Sequence, residues 1–151
     1  MVINFDSGRI PIIQGEKEKG KKYTIMIVDD EECNIKSLES FLSKDYHIIT
    51  ASGGWEALDC IQKMEHPEII SLIISDQRMP GLTGVELFKR LNDIIPNTIR
   101  IILTGYDNDV HDEAVKTAQI FQIISKPFEQ DDLKGKIKQA IMEFERWKQK
   151  N

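Results

Sequence analysis

The stretch YTIMIVDDEE at residues 23–32 runs six mostly apolar residues directly into four carboxylates. A short apolar run of this kind reads as a strand buried on both faces, as in the middle of a parallel sheet. Three further runs share the design: IISLIIS (69–75) leads into Asp76, TIRIIL (98–103) into Thr104, and IFQIIS (120–125) into Lys126. In an open parallel sheet all strand C-termini lie on one rim, where such folds bind their ligands. That rim would gather Asp29, Asp30 and Asp76, the Thr104 hydroxyl and the Lys126 ammonium. Crowded carboxylates shift towards protonation unless a cation sits among them. A hard, oxygen-liganded ion such as Mg²⁺ suits the set and keeps positions open for water and phosphate oxygens. The combination points to phosphoryl transfer.

From Tyr23 onward strand and helix patterns alternate. Strands are expected near 23–28, 46–51, 69–75, 98–103 and 120–125, and helices near 31–44, 54–65, 83–95, 108–118 and 130–148. In the third helix Val85, Leu87, Phe88 and Leu91 recur at helical spacing. YHIITA (46–51) is more mixed than the other runs and reads as an edge strand. Pro67, Pro80, Pro96 and Pro127 fall between elements, where strands and helices stop. Five βα units in series imply a parallel sheet with helices on both faces, joined by right-handed crossovers.

A length of 151 residues fits one domain with a proper core. The net charge of −5 gives no electrostatic footprint for nucleic acid. No apolar stretch reaches membrane-spanning length, and the first residues lack the order of a signal peptide. Cys33 and Cys60 show no metal or redox spacing and read as two reduced thiols in a cytoplasmic protein. Residues 1–22, which include the charged run EKEKGKK (16–22), read as a flexible arm, with IPII at 10–13 able to pack. His47, His66 and His111 read as surface residues, and Trp55 and Phe88 as packing.

The segments IMIVDDEE (25–32), ISDQRMPGLTG (74–84), LTGYD (103–107) and ISKPF (124–128) together resemble the receiver domains of two-component response regulators. The likeness covers residues 23–142, leaving 143–151 as a helix extension or linker. It implies a flavodoxin-like, doubly wound, five-stranded parallel sheet of order 2-1-3-4-5. It further implies that Asp76 accepts a phosphoryl group from a sensor histidine kinase or phosphotransfer protein, in a Mg²⁺-dependent reaction. Asp30, Asp76 and the Arg78 backbone carbonyl would hold the ion, with Asp29 acting through water. Lys126 would contact the phosphoryl oxygens, and Thr104 would donate its hydroxyl once the group is attached. Gly105 would leave room for the phosphoryl group, Gly84 would allow close packing, and Lys126–Pro127 would be a cis bond aiming the ammonium inward. The plainer alternatives are Asp30 as a helix N-cap, Thr104 as a cap and Lys126 as a solvated rim charge.

The match departs at Ile123, where receivers usually carry Tyr or Phe. Phe121, two residues earlier, would point to the same face. Arg78 and Tyr106 would flank the phosphoryl group and slow its loss. A dehalogenase-type phosphatase needs an Asp where Arg78 stands, and a nucleotide binder needs a glycine-rich loop where DDEEC stands. A degenerate receiver serving only as a binding module is the remaining alternative. In the last helix Leu133, Ile137, Ala140, Phe144 and Trp147 form a heptad seam; up to Ile141 it reads equally as the stripe of one amphipathic helix packed on the sheet, and beyond it Phe144 and Trp147 are expected to be exposed. They suggest a homodimer through the last two helices, or a downstream effector domain.

Overall fold

The computed structural model describes residues 2–4, 21–106 and 109–150. The strands are β1 (Val2–Asn4), β2 (Thr24–Val28), β3 (His47–Ala51), β4 (Ile70–Asp76), β5 (Ile99–Thr104) and β6 (Gln122–Ser125). The helices are α1 (Glu32–Leu42), α2 (Gly54–Lys63), α3 (Gly84–Leu91), α4 (Asp112–Thr117) and α5 (Gln130–Lys150). All strand pairings are parallel, in the order β1-β3-β2-β4-β5-β6. The five strands β2 to β6 thus have the expected 2-1-3-4-5 order.

Every residue of β2, β3 and β5 is buried, as continuous apolar runs covered on both faces must be. Side chains alternate across the sheet into two cores. On one face Met26, Ile73 and Ile102 meet Leu58, Leu87 and Phe88 of α2 and α3. On the other, Ile25, Ile74 and Ile101 meet Leu38 of α1 and Leu133 and Ile137 of α5.

Several expectations need correcting. β3 is not the edge, because Val2–Asn4 pairs in parallel with Ile48–Thr50. The remainder of the expected arm, residues 1 and 5–20 with the IPII segment, lies outside the described residues. His47 is buried rather than on the surface, because β3 has a neighbour on each side. Trp55 lies at the start of α2 and is 52% exposed, with the Arg90 guanidinium 4.9 Å from its ring centre. Phe144 is 6% exposed, not a bare aromatic, because α5 continues unbroken and lays it in the same core as Leu72 and Ile99. Trp147 is 44% exposed and Met142 66%.

α3 stops at Leu91, short of the expected Ile95. The guanidinium of Arg100, fully buried in the middle of β5, donates to the carbonyls of Phe88 (3.1 Å), Ile95 (3.1 Å) and Ala118 (2.9 Å) and to the Asn92 side chain. Carbonyls at helix C-termini carry partial negative charge, so they stand in for a carboxylate partner. Burial pulls the Arg100 pKa down to about 10, still charged at neutral pH. A charge in TIRIIL therefore ties the C-terminal ends of α3 and α4 to the central sheet.

Candidate functional site

Each strand end delivers one part of the rim site. Asp29 follows β2 and is 2% exposed; its amide donates to the Ala51 carbonyl at 3.2 Å. Its Oδ1 accepts from the Glu31 amide at 2.9 Å, and its Oδ2 accepts from Asn34 Nδ2 at 3.2 Å. Asp30, the next residue, is exposed. The N-cap of α1 is Glu31, so Asp30 does not cap that helix. Asp76 closes β4, and its Oδ1 accepts from the Gln77 amide at 2.9 Å. Lys126 Nζ stands between the acids, 3.3 Å from Asp76 Oδ1 and 3.6 Å from Asp29 Oδ2. The Lys126–Pro127 bond is cis, as the family resemblance implies.

Oxygens from Asp29, Asp30 and Asp76 lie within 4.8 Å of one another. Burial, with Asp29 adding to it, raises the Asp76 pKa; Lys126 and the Gln77 amide pull the other way and do not win. The cluster thus carries more negative charge than its own lysine balances. A donor set of oxygens alone suits Mg²⁺, Ca²⁺ or Mn²⁺ rather than Zn²⁺. The residues present fit a hard divalent cation.

The backbone around Asp76 is fixed from three sides. Gln77 is buried, and its side-chain oxygen accepts from the Val85 amide at 3.0 Å. Thr83 and Glu86 form a reciprocal capping box at the start of α3. Gly84 lies so close that a Cβ there would sit 2.6 Å from the Asp76 carbonyl oxygen and 2.7 Å from Ile102 Cδ1. Gly81 turns the loop with φ +84°, a left-handed conformation that glycine adopts without penalty.

Thr104 ends β5 and is 1% exposed. Its hydroxyl accepts from the Tyr106 amide at 3.1 Å and donates to the Tyr106 carbonyl at 3.3 Å. A Cβ on Gly105 would meet nothing within 4 Å, so space is open beside Thr104. The Arg78 side chain engages the segment after β5. Its guanidinium carbon lies 3.5 Å from the Tyr106 ring centre, and it forms a two-bonded ion pair with Asp109. A cleft of about 460 Å³ opens beside the acids, lined by Asn34, Leu38, Phe41, Lys126 and Phe128.

A family model described as "Response regulator receiver domain" matches residues 25–138. The chain belongs to the response regulator receiver family. Over 122 residues the receiver is 35% identical to the "Hydrogenase transcriptional regulatory protein HoxA" of Cupriavidus necator, spanning 80% of this chain and 24% of that protein. It therefore spans about a quarter of this relative's length. It is 32% identical to "Sporulation initiation phosphotransferase F" of Bacillus subtilis, over 78% of this chain and 92% of that protein. Among solved structures, one titled as adenylate cyclase from Rhodopirellula baltica superposes with TM-score 0.77 at 34% identity, over 86% of this chain and 94% of that one. The chemotaxis protein CheY4 of Vibrio cholerae superposes with TM-score 0.70 at 26% identity, covering 78% and 98%. Among the described residues no helix is long and apolar enough to cross a membrane.

The sequence-derived side chains gather at the strand ends: Lys126 touches Asp29 and Asp76, Asp30 lies within 4.8 Å of both acids, and Thr104 ends the adjoining strand. Sequence reasoning missed Asn34, Gln77 and Asp109. Asn34 carries a faint signal, since it falls one helical turn beyond the acidic pair. Asp109 carries none, because its partner Arg78 is 31 residues away.

Proposed function

We propose that this receiver accepts a phosphoryl group on Asp76, in a Mg²⁺-dependent reaction with a sensor histidine kinase or phosphotransfer protein, and thereby switches a signalling output. The observation that carries this reading is the state of the Asp76 carboxylate. Its Oδ1 is occupied by the Gln77 amide and Lys126, while Oδ2 has no bonding partner among the described residues. Oδ2 is the attacking atom: its electron pair forms the new O–P bond as the P–N bond of the phosphohistidine breaks, and the imidazole keeps that bond's electrons. The product on Asp76 is an acyl phosphate, a mixed anhydride that water hydrolyses to reset the carboxylate.

Asp30, Asp76 and the Arg78 carbonyl are the groups that would hold Mg²⁺. Asp29, already bonded to Glu31 and Asn34, would act through water. When bound, the ion screens repulsion between the incoming anion and the acids and offsets charge on the transferring oxygens. The Lys126 ammonium places a point positive charge on the same oxygens. Thr104 donates its hydroxyl to a phosphoryl oxygen after transfer. A second copy of the chain, on the face of α4, β6 and α5, or a downstream effector domain receives the signal.

Incubation with acetyl phosphate and Mg²⁺ tests this. A hydroxylamine-sensitive phosphoform is expected, absent in Asp76→Asn. Asp30→Ala should weaken Mg²⁺ binding by calorimetry by at least about tenfold, since it removes a charged ligand. A phosphoform that persists in Asp76→Asn sinks the reading.

A further inference from the structure

The first turn of α2 bears on the loop that joins β4 to α3. Gly54 is buried, and a Cβ there would lie 2.9 Å from both the Cβ and the carbonyl oxygen of Leu82. Trp55, the next residue, lays its indole on Gly81: a Cβ at Gly81 would sit 3.1 Å from both Cδ1 and Nε1 of that ring. On the side of α3 the Arg90 guanidinium holds the indole, 4.9 Å from the ring centre. Trp55 is nonetheless 52% exposed and belongs to neither apolar core. A ring so exposed adds little to the packing of the sheet. What it touches is a loop.

That loop is anchored at its ends and inner side. The Gln77 amide bonds Asp76, and the Gly84 amide donates to the Gln77 carbonyl at 3.1 Å. Met79 and Leu82 are buried in the core that includes Ala57 and Leu58 of α2. Pro80 and Gly81 form an exposed crest, closed by the Leu82 amide on the Pro80 carbonyl at 3.0 Å. Among the described residues, apart from Gly81's own chain neighbours, only the Trp55 ring comes within 4 Å of the Gly81 Cβ position. The Arg78 carbonyl lies in the same loop, three residues before that contact.

Resting on the reading of Asp30, Asp76 and the Arg78 carbonyl as the Mg²⁺ ligands, we propose that Trp55 is a positioning residue for the metal site. Its indole sets the crest of the loop after β4 and thereby the place of the Arg78 carbonyl. Asp76 is placed by β4 itself, whereas the carbonyl is carried by the loop. Mg²⁺ demands near-ideal octahedral geometry, so a small displacement of one ligand weakens the site. Groups that orient a ligand without touching the metal commonly change affinity by about 10–100-fold. Trp55 acts in this way, through the loop, and touches no reacting atom.

Calorimetric titration of the full chain with Mg²⁺ alone tests this, with labelling by acetyl phosphate as a second readout. Trp55→Ala replaces a half-exposed side chain and should stay folded, and its Mg²⁺ dissociation constant should rise by about tenfold. Trp55→Phe keeps a flat ring against Gly81 and should recover most of that loss. Arg90→Ala, which frees the indole on the side of α3, should weaken binding by a smaller factor, about twofold. In labelling, Trp55→Ala should need about tenfold more Mg²⁺ for half-maximal rate, yet match the unsubstituted chain at saturating Mg²⁺. A lost packing contact does not produce that split. Mg²⁺ affinity in Trp55→Ala equal to that of the unsubstituted chain overturns the positioning role alone. Equal losses in Trp55→Ala and Trp55→Phe overturn it as well, because the flat ring would then not be the cause. Failure of the unsubstituted chain to bind Mg²⁺ overturns the ligand assignment, and the positioning role with it.

Discussion

As the proposed phosphoacceptor, Asp76 would have to be an ionised nucleophile in a place that favours its proton. Burial and the neighbouring Asp29 raise its pKa, and Lys126 offsets this only in part. A carboxyl with a higher pKa folded than unfolded favours the folded state fully below its unfolded value. That contribution is lost as pH rises through the folded value, so at neutral pH the charge works against folding. Asp76→Asn removes the charge and is expected to raise the melting temperature at pH 7 in chelator. The gain should shrink as pH falls into the carboxylate range, and added Mg²⁺ should stabilise the unsubstituted chain selectively by binding only its folded form. Melting curves against pH, with and without Mg²⁺, decide this; a variant less stable than its parent at pH 7 contradicts it. Asp76, Thr104 and Lys126 were legible in the sequence because each ends an apolar run, and strand geometry converts that position into a place on one rim. Gln77 and Asp109 were not, since their roles depend on how far a side chain reaches into another segment. Gln77 bonds Val85, eight residues on, and no local pattern marks that choice.

The elements follow the sequence pattern closely where periodicity governs, with β2, β3, β4 and β5 each beginning one residue later than expected and β6 two. They depart where a single polar group overrides the pattern. Arg100 is the clearest case: TIRIIL reads as apolar, but its one charge collects carbonyls from α3, α4 and the turn between α3 and β5. Replacing it with Met would fill much of the volume and leave those carbonyls without donors. Buried acceptors stripped of a charged donor cost about 1–3 kcal/mol each, so Arg100→Met should destabilise the chain by roughly 2–4 kcal/mol once the structure relaxes. Urea denaturation is the measurement, and a loss within about 0.5 kcal/mol, the size of a neutral surface change, contradicts the clamp.

For the molecule as a whole, two apolar cores lock the sheet from both faces and hold the acids on a rigid rim. The pairing of Val2–Asn4 with β3 was hidden in the sequence, because three residues are too few for strand periodicity to register. The heptad seam of α5 proved mainly intramolecular: Leu133, Ile137, Ala140 and Phe144 are all buried. Outward association must then use groups such as Met142 and Trp147. Phe144→Glu should unfold the chain by placing a charge in its core, whereas Trp147→Glu should leave it folded and weaken a beryllofluoride-dependent dimer. Sedimentation on the folded variant reads this directly, and a monomer under every condition with the unsubstituted chain rules out the dimer. Of the three carboxylates, only Asp76 is proposed to take the phosphoryl group. Treating the acetyl-phosphate product with borohydride reduces an acyl phosphate to an alcohol at the residue that carries it. Peptide mass spectrometry should then find that conversion at Asp76, while conversion at Asp29 or Asp30 would contradict the account.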